Sequence, residues 1–226
     1  MTNLFTDVDK NIYGADRGNG GADSADAVFV AAHGNYTADT LFYSSISVPY
    51  LSQAVSLSSY VALGDHDLDT LHVYGCGSTQ WIDLNGDDVV NISDEPFRSW
   101  RVGGAWDGIG SIHGMHGTAN ISAWWFFGWH LSFPNGGTFS SLGDSESISE
   151  AWIDQMYKAD AKPAPGGGYY DYCPMSFAFG ATSSEALSYL NKQYDYNTFE
   201  DNPGGTQYVR VRYVSGCDPD NGAQLH

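Results

Sequence analysis

Two short runs in this sequence end an apolar stretch on a residue able to move a proton or attack a carbonyl. "AVFVAAHGN" closes on His33-Gly34, and "LHVYGCGS" closes on Cys76-Gly77. A thiolate is a strong nucleophile, and an imidazole within reach can take the thiol proton or hold the thiolate. Gly34 carries no side chain, so its backbone N–H is a candidate donor to an oxyanion. His113 and His116 in "IHGMHG" stand three apart among glycines. They read as cleft-wall or turn residues, and His116 is a candidate pocket residue. Asp107 in "GAWDGIG" and Asp171 in "GYYDYC" lie in loops rich in glycine and aromatics. Either is a candidate partner for a cationic substrate side chain, although most single loop aspartates only shape turns. His66, His72, His130 and His226 suggest no role, and His72 reads as an interior or half-exposed strand residue.

A different chemistry is written in "DLNGDDVVNISD", the twelve residues Asp83 to Asp94. A calcium loop of the EF-hand type takes oxygen ligands from positions 1, 3, 5, 7, 9 and 12. Here those positions hold Asp83, Asn85, Asp87, the Val89 carbonyl, Asn91 and Asp94. Val90 stands at position 8, where an apolar residue anchors such loops. Position 6 is Asp88 rather than the usual glycine, and position 12 is Asp rather than a bidentate Glu. The alternative is an acidic turn at the surface. The ligand set favours Ca2+. "DVDKNIYG" places Asp7, Asp9 and Asn11 at alternate positions without the remaining ligands.

The whole chain sets limits on these sites. Its 226 residues suffice for one domain, residues 1–226, with a substantial core. The 27 Asp plus Glu against 9 Lys plus Arg give a net charge of −18. Such a surface repels nucleic acid and anionic membranes. No apolar run is long enough to span a bilayer. "MTNLFTDVDKNIYG" lacks the basic and apolar regions of a signal peptide. A cytoplasmic protein or one without its leader both fit, and a secreted or surface location is favoured. The three cysteines, Cys76, Cys173 and Cys217, lack zinc spacing. Cys173 and Cys217 could pair in an oxidising compartment.

The elements that must position these residues are legible as apolar runs. Ala27–Ala32 and Thr70–Gly75 read as buried strands, Thr118–Trp129 as a third leading into an aromatic turn, and Met175–Gly180 as a fourth. Thr206–Gly216 alternates and reads as a fifth. "SISEAWIDQMYKA" opens with Ser147 and Glu150 at capping-box spacing and reads as a helix. "SSEALSYLNKQY" reads as a second helix, capped by Ser183 or Ser184. "SVPYLSQAVSLSSYVAL" is ambiguous and leaves room for a helix. Strands alternating with helices predict an α/β fold with a mostly parallel central sheet. In such a sheet, ligands bind beyond the carboxyl ends of the strands.

An apolar strand ending in His-Gly, followed some forty residues later by an apolar strand ending in Cys, resembles the caspase-like cysteine peptidases. The matching pieces are "VFVAAHGN", "LGDHDLDTLHVYGCGST" and "SWRVGGAWDGIGSIHGMHGTANISAWW". The resemblance is to a prokaryotic branch of that fold and covers about residues 25–130, more weakly to about 195. It implies a caspase-like three-layer sandwich and a Cys/His dyad, with Cys76 attacking a peptide carbonyl and His33 assisting. The caspase Gln-Ala-Cys-x-Gly signature is absent, since the local run is "YGCGS", so substrate preference is not implied. The Asp83–Asp94 run is similar to the calcium loop of dockerins, set after the nucleophile strand. The expected partner is a peptide or protein substrate. The competing expectation is an inactive caspase-like module of a secreted or surface protein, stabilised by calcium.

Overall fold

Short runs of β-branched and aromatic residues form the strands, because such side chains pack well on a pleated, buried surface. The computed structural model describes residues 27–31, 40–44, 53–56, 68–81, 84–87, 93–94, 108–117, 147–158, 173–193 and 206–214. Seven strands lie in these segments: β1 (Ala27–Ala31), β2 (Thr40–Ser44), β3 (Gln53–Ser56), β4 (Thr70–Tyr74), β5 (Ser111–Met115), β6 (Pro174–Gly180) and β7 (Tyr208–Tyr213). Two helices are described, α1 (Ile148–Lys158) and α2 (Ser183–Leu190). The main sheet has the order β1-β4-β5-β6-β7, and β2 and β3 form a separate antiparallel pair.

The α/β class agrees with the sequence reading, but the sheet is mixed rather than mostly parallel. β1–β4 and β4–β5 are parallel, whereas β5–β6 and β6–β7 are antiparallel. The alternation in "YVRVRY" already hinted at this. Over residues 208–211, β7 alternates exposed and half-buried positions, as a one-sided antiparallel strand does. β5 was not foreseen. Its "SIHGM" carries only two large apolar residues yet is wholly buried. The run expected as a third strand, Thr118–Trp129, lies outside the described residues. β3 falls inside the stretch that left room for a helix.

The two faces of the main sheet differ in chemistry. One carries Leu71, Val73, Ile112, Met175, Phe177 and Phe179, all fully buried. On the other, register brings Phe29, His72, His113, Ser176 and Arg212 into one row across five strands. α1 and α2 cover this second face. Trp152 of α1 packs with Tyr74, Met115 and Met156, and Phe29 and Ile153 flank that cluster. Gly180 of β6 lets α2 approach, since a Cβ there would come within 2.6 Å of the Ala186 amide nitrogen.

Both helix starts are fixed by reciprocal capping. Ser147 Oγ accepts from the Glu150 amide at 3.2 Å, and Glu150 Oε2 accepts from the Ser147 amide at 2.8 Å. That is the capping box expected from the spacing. For α2 the cap is Thr182, one residue before the expected serines. Its Oγ1 accepts from the Glu185 amide at 3.2 Å, and Glu185 reaches back to the Thr182 amide. The spacing of the box, Thr-x-x-Glu, decides between neighbouring hydroxyl residues.

Candidate functional site

β4 ends at Tyr74, and the chain then turns tightly through Gly75–Gln80. The Ser78 amide donates to the Gly75 carbonyl at 3.2 Å, and the Gln80 amide to the Gly77 carbonyl at 3.1 Å. Gly77 takes φ 60°, a left-handed conformation in which a side chain is disfavoured. Cys76 stands on this turn. It is a half-buried cysteine, not disulfide-bonded, between buried neighbours.

The turn is tied to the end of β5. The Gly77 amide donates to the Gly117 carbonyl at 2.9 Å, and the Thr79 amide to the Met115 carbonyl at 3.1 Å. Ser78 Oγ donates to the Val73 carbonyl at 3.0 Å and accepts from the Met115 amide at 3.1 Å. Gly114 permits this approach, because a Cβ there would lie 2.8 Å from Ser78 Oγ and closer still to Thr79.

His116 belongs to the same tether. It is fully buried, and its Nδ1 accepts from the Trp81 amide at 2.8 Å. An accepting Nδ1 places the proton of the neutral ring on Nε2. The His116 amide donates to the Cys173 carbonyl at 2.6 Å. The expected pocket residue therefore sits in the interior, bracing the chain that follows Cys76.

The Trp81 ring continues the connection into the acidic loop. Its Nε1 donates to Asp94 Oδ2 at 3.1 Å, and the Leu84 amide donates to Asp94 Oδ1 at 3.5 Å. Asp94 is fully buried. At the surface, the Asp87 amide donates to Asn85 Oδ1 at 3.2 Å, and Asn85 Nδ2 donates to Asp87 Oδ2 at 2.9 Å. Gly86 between them has φ 73°. Asn85 and Asp87 are exposed, hard oxygen donors of the kind calcium takes. Among the described residues, no three His, Cys, Asp or Glu side chains converge as a metal site.

Several expected site residues lie outside the described residues: His33, Gly34, Asp107, Asp171, Asp83, Val89 and Asn91. Cys173 is disulfide-bonded, whereas Cys76 is in no disulfide. Cys217, the partner expected for it, lies outside the described residues.

A second polar centre, beneath α1, was missed in the sequence. The His72 and His113 rings stack with centroids 4.6 Å apart. His113 Nδ1 is 2.8 Å from Ser176 Oγ, and its Nε2 is 3.1 Å from Ser111 Oγ, which donates to Thr70 Oγ1 at 2.9 Å. Because Ser111 gives its one proton to Thr70, His113 must donate from Nε2 and accept at Nδ1. Burial drives the His113 pKa down to about 3, with the Arg212 charge adding to the effect. Burial also holds the His72 pKa well below its usual value, with His113 contributing. The only sequence signal was the polar alternation of Thr70 with His72 and of Ser111 with His113, on strands too short for a period to stand out.

Comparison with protein-family models, with curated proteins and with solved structures finds no match to this chain.

Proposed function

We propose that this chain is a caspase-like, calcium-binding cysteine endopeptidase, built as the three-layer sandwich of that fold, with Cys76 as nucleophile and His33 as its base. One observation carries the reading. β1 and β4 are parallel with Ala31 level with Tyr74, and His33 and Cys76 each follow two residues later in sequence. Both residues thus follow the carboxyl ends of adjacent parallel strands, the edge at which α/β folds bind ligands. Cys76 is also half-buried and in no disulfide, in a chain whose Cys173 is disulfide-bonded.

In this reading His33 takes the Cys76 proton, and the thiolate adds to the scissile carbonyl. The Gly34 amide donates to the oxyanion. His33 returns the proton to the leaving amine, and water then hydrolyses the thioester. Asp107 or Asp171 would receive a cationic side chain. Calcium would be held by Asn85, Asp87 and Asp94 together with Asp83, the Val89 carbonyl and Asn91, and it would neutralise their charge. Because Asp94 connects through Trp81 to His116, loop filling and the Cys76 turn would be coupled.

Alkylation rates test the dyad. Iodoacetamide should modify wild-type protein at pH about 6 at least tenfold faster than the His33→Ala variant, since only the thiolate is alkylated and a nearby base favours it. A peptidyl acyloxymethyl ketone should label wild type and not Cys76→Ser. Equal alkylation rates in wild type and His33→Ala, with no ketone labelling, would instead fit the inactive, calcium-stabilised module.

A further inference from the structure

We infer that the buried row His72–His113–Ser176–Arg212 is an acid-sensitive lock that holds α1 against the sheet only while both imidazoles are neutral. The lock is defined by the geometry of this row and does not depend on the peptidase reading. Four adjacent strands place these residues level with one another. His72, His113 and Ser176 are at most 1% exposed. The two rings lie 4.6 Å apart, and the Trp152 ring of α1 sits 5.5 Å from His72 and 6.3 Å from His113. Trp152 Nε1 donates to the Gly114 carbonyl at 3.0 Å, so α1 is fastened to β5 beside the pair.

One permanent charge already ends the row. Arg212 reaches Ser147 and Ser149 at the start of α1, Asn191 Oδ1 at 2.9 Å and Glu150 Oε1 at 3.3 Å. The other charged or titratable groups described on the packed elements are Tyr74 of β4, Asp154 of α1, Glu185, Tyr189 and Lys192 of the α2 segment, and Tyr208, Arg210 and Tyr213 of β7, where Arg210 donates to Ser183 Oγ. Glu185 is engaged at the α2 cap, and Lys192 lies over the Tyr189 ring. The Glu150 carboxylate is already bridged to Arg212 and is the group that offsets it. Protonating both imidazoles would set three cations in a row with little water to screen them. It would also force His113 Nδ1 to become a donor toward Ser176, breaking the present pattern.

The sign follows from the lowered pKa values. The unfolded chain takes up a proton on each histidine below pH about 6.5, whereas the folded chain does not until much lower pH. Stability contributed by neutral burial is therefore complete above pH about 6.5 and is lost as pH falls. Each histidine raises the opening equilibrium constant about tenfold per pH unit below that point, so the pair gives about a hundredfold. The experiment has two readouts. In the wild-type protein, imidazole NMR titration should leave His72 and His113 neutral at pH about 5. Hydrogen exchange, corrected for its intrinsic pH dependence, should show α1 amides opening more steeply with falling pH than β6 amides. His72→Phe should reduce the pH slope of opening by about tenfold per unit. An imidazole of the pair that titrates near 6.5 in the folded state overturns the lock, and so do α1 and β6 amides that open in parallel. If His72→Phe fails to fold, the wild-type measurements still decide.

Discussion

At the scale of single residues, Trp81 joins the candidate nucleophile turn to the acidic loop. Its amide is held by His116 and its indole by a carboxylate with no exposed surface. A buried carboxylate without enough donors costs more than the net worth of any one hydrogen bond, because desolvation is no longer offset. Trp81→Phe keeps an aromatic ring but removes the Nε1 donor to Asp94 and part of the buried volume. It should lower unfolding free energy by about 2–4 kcal/mol, read as the denaturation midpoint at constant slope. A loss below about 1 kcal/mol would mean that the indole does not solvate Asp94 in solution.

At the scale of elements, Arg212 joins β7 to the start of α1 and the end of α2. Two kinds of interaction compete for the credit. The ion pair with Glu150 is partly exposed, 23% and 47% for the two side chains, and such pairs contribute about 0–1 kcal/mol. The bond to Asn191 is exposed, but the guanidinium fork's bonds to the buried Ser147 and Ser149 are better shielded, and hydrogen bonds to charged groups contribute about 1.5–3 kcal/mol. Glu150→Gln keeps a capping-box side chain and should cost less than about 1 kcal/mol. Arg212→Lys loses the fork and should cost about 1–3 kcal/mol, with equal losses in the two variants arguing for the ion pair instead. These contacts also show what a sequence can reveal. Mainly apolar runs such as those of β4 and β6, and a box such as Ser147-x-x-Glu150, are local patterns, and they were legible. β5 was not, because "SIHGM" becomes a strand through its neighbours: its polar side chains are satisfied by Thr70 and Ser176 on other strands. The inward turn of His116 was hidden for the same reason, since its partner, Trp81, is thirty-five residues away. Cys76 and the acidic loop could be picked out as candidates because their chemistry is carried by residue type, whereas the register that would align Cys76 with His33 is a property of the sheet.

At the scale of the whole molecule, the charge of −18 and a sequence pI near 4.3 make self-repulsion a general destabilising term at neutral pH. The Debye length falls from about 30 Å at 0.01 M to about 10 Å at 0.1 M salt, so sodium chloride should raise the melting temperature simply by screening. Calcium must be separated from this background. A site that binds only the folded chain adds RT ln(1 + [L]/Kd), about 2.7 kcal/mol at a hundredfold excess over Kd. For a domain of this size each kcal/mol corresponds to about 2–4 °C, so a filled Asp83–Asp94 loop should raise the melting temperature by about 5–10 °C. Magnesium at equal ionic strength is the proper control, because its smaller, strictly octahedral shell fits a flexible oxygen loop poorly. The expected result is a calcium shift well above the magnesium shift, abolished by Asp87→Asn together with Asp83→Asn. Equal shifts with the two ions would assign the whole effect to screening of the acidic surface. The buried Asp94 would then be a structural carboxylate held by Trp81, and the loop an acidic turn at the surface.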